Sequence, residues 1–145
     1  MSNITISRQT NVPNTLCNST ALLGISRDDA LFGNRGADIL NGGDGKDILL
    51  GGKGDDLLTG GLGNDSLTGG DGNDRFLLSS NSGMDIILDF EDGKDLLSLG
   101  NNLTFSQLSF TQENSTTFIR SSVNGEILAA LNGVSASLIN VSDFG

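Results

Sequence analysis

Apolar side chains recur every nine residues through the middle of the chain, at Leu31, Leu40, Leu49, Leu58, Leu67 and Phe76. A helix would repeat at 3.6 residues and an ordinary half-buried strand at two, so this period describes a coil of short elements instead. Around each apolar position lie three residues of strand character, such as Ile48-Leu49-Leu50 or Leu57-Leu58-Thr59, whose middle side chain points opposite to its neighbours. The six residues before them are rich in glycine. Five complete units fill residues 33–77: GNRGADILN, GGDGKDILL, GGKGDDLLT, GGLGNDSLT and GGDGNDRFL. Glycine at the first, second and fourth places permits positive φ and a close approach of backbone that a Cβ resists. Each unit is therefore predicted to be a six-residue turn followed by a three-residue strand. Two units complete one coil, and units of the same parity stack as parallel strands about 4.8 Å apart. The expected fold class is all-β, a right-handed parallel β-roll closed by a C-terminal antiparallel cap.

The flanks are less regular. Residues 24–32, GISRDDALF, keep the phase in degenerate form and are predicted to be a sixth, capping unit, since a terminal repeat lacks one neighbour. Residues 1–23 are expected to be a lead-in or capping strand, with Ile4 and Ile6 alternating as on an edge and Pro13 interrupting it. Residues 78–99 lose the phase but keep Asp85, Asp89, Asp92 and Asp95 among apolar residues, and two strands around a Gly93 turn are expected to close the roll. Beyond residue 100, LSFTQ, TTFIR and EILAAL read as short strands of an antiparallel cap. Turns are expected at Glu113-Asn114 and at Asn124-Gly125, the latter a two-residue hairpin signal. Asp143 and Phe144 are expected in an exposed terminal tail. The chain thus divides into 1–23, 24–77 and 78–145.

Charge adds chemistry to this picture. The 145 residues carry a formal net charge of −10, from 15 Asp against 3 Glu, a bias toward the short carboxylate that suits turns. Such a balance opposes nucleic acid and anionic membranes. Stacking would bring Asp38 near Asp56 and Asp74, and Asp47 near Asp65. Columns of like charge are costly unless cations lie between them. Calcium fits, because it takes about six to eight hard oxygen ligands at roughly 2.3–2.6 Å, and the turns offer carboxylates and backbone carbonyls. Magnesium, with stricter octahedral geometry, suits a carbonyl cage poorly. Zinc is excluded by the absence of His and the single Cys. With 21 Gly and few aromatics the core is small, so folding is expected to be coupled to ion uptake. About three to five Ca²⁺ are expected, and five would bring the formal charge of −10 to about zero.

Other readings are narrower. GGKGDD lacks the Lys-Ser/Thr ending of a phosphate loop, so nucleotide binding is not expected. With no His there is no zinc-protease site and no Ser-His triad, and the carboxylates are committed to turns, so the chain is not expected to be an enzyme. Cys17 is alone, precludes an intrachain disulfide, and is read as a small half-buried side chain. Neither an N-terminal apolar run nor a stretch approaching 18 apolar residues is present, so no cleavable signal and no membrane span are expected, and export would need a signal elsewhere.

The nonapeptides, and the run DIILDFEDGKDLLSL at 85–99, resemble hemolysin-type calcium-binding RTX modules, in particular the C-terminal β-roll domain of serralysin-like metalloproteases. The resemblance covers about residues 24–145. It implies ions held between turns two units apart, by carbonyls of the second and fourth places and the Asp of the first turn, and by carbonyls of the first and third places and the Asp of the later one. Carried onto this chain, one site uses Asn34, Gly36, Asp38, Gly51, Lys53 and Asp56. A second uses Gly43, Gly45, Asp47, Gly60, Leu62 and Asp65, and a third Gly52, Gly54, Asp56, Gly69, Asp71 and Asp74, so that Asp56 bridges two ions. A weaker site joins Ile25, Arg27 and Asp29 to Gly42, Asp44 and Asp47, with Arg27 in the usual glycine place. Gly61 and Gly63 fill the matching places of the fourth complete unit, and Asp85 and Asp95 resemble the ligands of the closing segment. Asn34 replaces Gly, a mild departure because Asn tolerates positive φ. The side chains of Asp44, Asp55 and Asp71 are read as solvated, although Asp44 and Asp71 can give carbonyls.

The resemblance also implies type I export on an uncleaved C-terminal signal, for which Asp143-Phe144 is the counterpart, with the chain unfolded at low cytosolic calcium and folded outside. The leading expectation is a non-catalytic calcium-folded module of a secreted protein. The alternatives are a free-standing interaction or adhesion protein, including an ice-binding roll, and a cytoplasmic calcium buffer or sensor. Against ice binding, the outward rows are irregular in Thr and Asn. An apolar face carrying Ala30, Phe32, Ile48 and Leu50 is expected to dock a partner or a second copy, or to be covered by residues 1–23.

Overall fold

The computed structural model describes residues 3–6 and 19–145; Pro13 and Cys17 lie outside the described residues. The nine-residue period produces two parallel sheets facing one another. Along the chain run β1 (Asn3–Ile6), β2 (Thr20–Leu23), β3 (Ala30–Arg35), β4 (Ile39–Asp44), β5 (Ile48–Lys53), β6 (Leu57–Leu62), β7 (Ser66–Asp71) and β8 (Arg75–Leu78). They are followed by β9 (Asp85–Ile87), β10 (Leu96–Leu99), β11 (Leu108–Glu113), β12 (Thr116–Ser121) and β13 (Ile127–Asn132). One sheet has the order β1-β2-β4-β6-β8-β10, the other β11-β12-β13-β9-β7-β5-β3. Each successive unit crosses to the opposite sheet, so strands two units apart become neighbours: Leu40 pairs with Leu58, and Leu49 with Leu67. The fold is a parallel β-roll with a mixed sheet at one end.

The eighth-place side chains fill the space between the sheets. Leu22, Leu40, Leu58, Phe76 and Leu97 line one sheet, and Leu31, Leu49, Leu67 and Ile87 the other, all buried. Such a core is thin, and each buried Leu is worth roughly 1.5–3 kcal/mol. Strands run six residues rather than the three expected, through both glycines and the residue after them. Gly43 pairs in register with Gly61, and Gly52 with Gly70, so the ladder continues past the last packed side chain. The turn proper is confined to places four to six.

The described lead-in is part of the first sheet. β2 stacks in parallel on β4, Leu22 opposite Leu40, and β1 pairs in parallel with β2 at the edge. Both lie in the sheet opposite Phe32 and Leu50, so the described part of residues 1–23 does not cover that apolar face. The two strands flanking Gly93 do not pair with each other: β9 adds to β7 and β10 to β8, completing one more coil.

The cap is antiparallel as expected, β11-β12-β13, and joins the roll through a parallel pairing of β13 with β9. Two of its turns depart from expectation. The first loop is Asn114-Ser115, one residue later, with Asn114 at φ 55°. Asn124-Gly125 lies within the longer connection between Ser121 and Ile127 instead of forming a two-residue hairpin. A register slip at Ile119/Arg120 sets Arg120 opposite Ile127 and passes over Leu128, and the Asn124 side chain accepts the Glu126 N–H at 3.1 Å.

The terminal residues are not an exposed tail. Val141–Asp143 form a 3-10 turn capped by Asn140, and Asp143 is 2% exposed, with its Oδ2 accepting the Asn140 N–H at 2.7 Å. Phe144 bridges to Leu97 at the edge of β10 and packs on Phe105 at 5.1 Å between ring centroids. An unpaired edge beside an aromatic cluster gives the chain end both backbone partners and apolar cover.

Candidate metal centre

Stacked turns place the sixth-place carboxylates in two columns, one along each side of the roll. In one, the Asp29 N–H donates to Asp47 Oδ1 at 2.7 Å, Asp47 N–H to Asp65 Oδ1 at 2.8 Å, and Asp65 N–H to Asp85 Oδ1 at 3.3 Å. In the other, Asp38 N–H donates to Asp56 Oδ1 at 2.7 Å, and Asp56 and Asp74 N–H donate to Asp74 and Asp95 Oδ1, both at 2.9 Å. Asp85 and Asp95 thus continue the columns, although the spacing to the preceding member is 20 and 21 residues instead of 18. The extra residues loop out.

In Asp47, Asp56, Asp65 and Asp74 one carboxylate oxygen is spent on this ladder; the other is the chemical clue. Oδ2 of Asp47, Asp56, Asp65 and Asp74 is buried and has no hydrogen-bond partner among the described residues. Buried anionic oxygens left in that state cost several kcal/mol unless a proton or a cation meets them. Burial, and after it the neighbouring column carboxylates, push Asp56 up to about 7 and Asp74 up to about 6. Asp85 is pushed up to about 8 by burial and by the charge on Asp65. Asp47 and Asp95 are raised too, chiefly by burial. The surface ion pairs Lys53–Asp71 (3.4 Å) and Lys94–Glu91 involve no column carboxylate.

Glycine is required at the first place for space. A Cβ on Gly51 would lie 2.2 Å from Asp56 Oδ2 and 2.6 Å from the Gly69 carbonyl oxygen, and one on Gly42 2.2 Å from Asp47 Oδ2 and 2.5 Å from the Gly60 oxygen. The methyl group would occupy an oxygen-lined cradle between turns. Gly51→Ala is therefore expected to destabilise the cation-loaded fold by about 3 kcal/mol or more, read as a lower Tm in calcium. At the fourth place, Gly63 combines φ +134° with a Cβ position 1.7 Å from the Gly45 oxygen, so that turns can stack only without a side chain.

The turns named for each expected site come together. Turn 33–38 stacks on 51–56, 42–47 on 60–65, and 51–56 on 69–74, with Asn34 opposite Gly52, Gly43 opposite Gly61 and Lys53 opposite Asp71. At the start of the roll, Ser26 bridges to Asp44 and the Asp44 N–H donates to the Ile25 oxygen at 2.9 Å. The third-place carbonyls of Lys53, Leu62 and Asp71 each accept the N–H of Gly36, Gly45 and Gly54 at 2.8 Å, which leaves one lone pair on each. Asn34 sits at φ 73°, as its glycine place demands. Asp44, Asp55 and Asp71 are exposed.

Two arrangements escaped sequence reasoning. Asp89 takes the N–H groups of Gly69 and Gly70 at 2.9 and 2.8 Å, capping the start of a turn. Fifth-place side chains form an outer ladder, Asp28 to Lys46 N–H, Asp55 to Asn73 N–H and Asn64 to Met84 N–H, at 2.9–3.0 Å. The recurrence of Asp or Asn at that place was its available signal.

Among the described residues no three His, Cys, Asp or Glu side chains converge on one point. A cation held between turns would therefore take most of its ligands from carbonyls, with one or two carboxylates. That donor set suits a large hard cation tolerant of irregular geometry, and calcium has those properties. Among the described residues no helix is long and apolar enough to cross a membrane.

Comparison with known proteins agrees with the geometry. The family of RTX calcium-binding nonapeptide repeats, described in four copies, matches twice, over residues 23–58 and 51–82. No curated protein matches the chain significantly. Among solved structures, the AlgE6R2 subunit from the Azotobacter vinelandii mannuronan C5-epimerase is similar over 95% of this chain and 91% of its own, with 27% identity and a TM-score of 0.58. The AlgE6R3 subunit from the same source is similar over 99% and 78%, with 22% identity and a TM-score of 0.50, a likeness of fold. The nine-residue period, the stacked aspartate turns and the matches over residues 23–82 together make that segment an array of RTX calcium-binding nonapeptide repeats.

Proposed function

We propose that the chain is a non-catalytic module that folds when calcium fills the spaces between its stacked turns, and that it serves a secreted bacterial protein exported by a type I route. The observation that carries this reading is the pair of carboxylate columns whose Oδ2 oxygens on Asp47, Asp56, Asp65 and Asp74 are buried and without a hydrogen-bond partner among the described residues. Such columns oppose folding until a divalent cation lies beside them. Asp38, Asp56 and Asp74 on one side, and Asp29, Asp47 and Asp65 on the other, supply the carboxylates. Carbonyls of Asn34, Gly36, Gly51 and Lys53 complete the first site. Gly43, Gly45, Gly60 and Leu62 complete the second, and Gly52, Gly54, Gly69 and Asp71 the third. Asp85 and Asp95 extend the series by continuing the columns. Bound calcium supplies charge neutralisation and a cross-link between turns.

The absence of His from the sequence and the placement of the carboxylates in turns support a non-catalytic role. A cytoplasmic calcium buffer is the competing reading, and affinity separates the two. Equilibrium dialysis against calcium is expected to count three to five ions at half-saturation near 10⁻⁴–10⁻³ M, the range of extracellular modules. Half-saturation near micromolar would favour the buffer, and one ion or none would remove the column reading altogether.

A further inference from the structure

Among the described residues, the seventh- and ninth-place rows on the outer face of the second sheet carry no charge from β3 to β9. Its seventh-place row is Ala30, Ile48, Ser66 and Ile86, aligned by the strand register. The ninth-place row holds Phe32, Leu50 and Thr68, and Leu88 continues it through the hydrogen bond from its N–H to the Leu67 oxygen. Ile48 is 50% exposed, Ile86 39% and Leu88 45%. Charge begins at the rim, where Arg35, Lys53 and Asp71 lie in register on successive strands. An apolar centre inside a charged rim is the anatomy of an interface.

We infer that this face binds a second copy of the chain, face to face, about a two-fold axis parallel to the strands and passing between β5 and β7. That axis sets β5 on the partner's β7, so the large Ile48 and Leu50 meet the small Ser66 and Thr68. It also sets β3 on the partner's β9, so Ala30 and Phe32 meet Ile86 and Leu88. At the rim, Lys53 of each copy meets Asp71 of the other, and the charges are complementary in both directions. Three strands of six residues and one of three, about 4.8 Å apart, give a contact of roughly 330 Å² per copy, the size of a weak, reversible interface. Two chains of formal charge −10 repel, so calcium uptake in the turns favours the pairing. This last coupling rests on the proposed calcium-folded module; the surface itself does not.

Sedimentation velocity in calcium, from about 10 to about 500 µM chain, is expected to show a reversible shift from monomer to dimer. Ile48→Lys and Ile86→Lys each bury an unpaired charge at the contact and are expected to raise the dissociation constant more than about tenfold. Ile39→Lys is the control, because Ile39 holds the same place on the opposite sheet and is 52% exposed; its association is expected to equal that of the parent chain. Circular dichroism of each variant in calcium establishes that the roll is folded. A folded parent chain that stays monomeric across the range overturns the inference, and so does a folded Ile48→Lys chain that associates like the parent. A chain that folds and dimerises in chelator contradicts calcium coupling alone and leaves the contact standing.

Discussion

Asp56→Asn is expected to raise the calcium concentration needed for folding by more than about tenfold and to lower the stability of the loaded fold by about 3–5 kcal/mol. Asp56 occupies the middle of a column: its Oδ1 accepts the Asp38 N–H, its own N–H donates to Asp74, and its Oδ2 is buried without a partner among the described residues. The amide keeps the Oδ1 acceptor, so the ladder survives. At the other position it sets two N–H donors where a cation would lie, and it removes a charge from two adjoining sites. Ion counting should therefore fall by up to two, not one. In chelator the same substitution relieves repulsion from Asp38 and Asp74 and is expected to help the metal-free fold. Asp55→Asn, one residue away and exposed, retains the oxygen that accepts the Asn73 N–H and is expected to leave the calcium midpoint unchanged. A calcium requirement in Asp56→Asn equal to that of the parent chain would remove Asp56 from the sites. The comparison is made by urea unfolding in saturating calcium.

Without calcium, β structure is expected to be gained as pH falls from about 8 to about 5. The sign follows from proton counting. The folded state holds Asp56 at about 7, Asp74 at about 6 and Asp85 at about 8, against an ordinary value of 3.8. Between about pH 4 and pH 8 the folded chain binds more protons than the unfolded one, so its stability declines as pH rises through that window. Protonation removes the column charge that calcium removes at neutral pH. With calcium present, protons compete for the same oxygens, and the calcium midpoint is expected to move to higher concentration on acidification. Far-UV circular dichroism in chelator at pH 5 and pH 8 reads the first effect; equal spectra at the two pH values would contradict it.

Much of the roll was legible because one residue type per place carries each requirement. Leu40, Leu49, Leu58, Leu67 and Phe76 face inward as the period demands, and the sixth-place Asp residues stack two units apart. Strand length was not legible, since glycine has low strand propensity and the ladder through Gly43 and Gly61 is set by stacking and not by side chains. The columns run on through Asp85 and Asp95 past looped-out residues, which a fixed period cannot follow. Phe144 and Asp143 looked like a free polar-apolar ending. Their burial depends on the edge of β10 and on Phe105, contacts between residues some 40 or more positions apart that no local pattern announces. Asp89 was visible as an acidic residue in the closing run, but its two hydrogen bonds to Gly69 and Gly70 depend on a coil laid down 20 residues earlier.

The central claim is that divalent cation between the turns drives folding. A calcium titration of the chelated chain at pH 7.5, followed by far-UV circular dichroism with magnesium as the parallel titrant, tests it most directly. The account predicts a cooperative passage from disorder to β structure near 10⁻⁴–10⁻³ M calcium and no transition with magnesium at the same concentrations. A chain that is already β-structured in chelator at pH 7.5, or one that folds equally with magnesium, would contradict it.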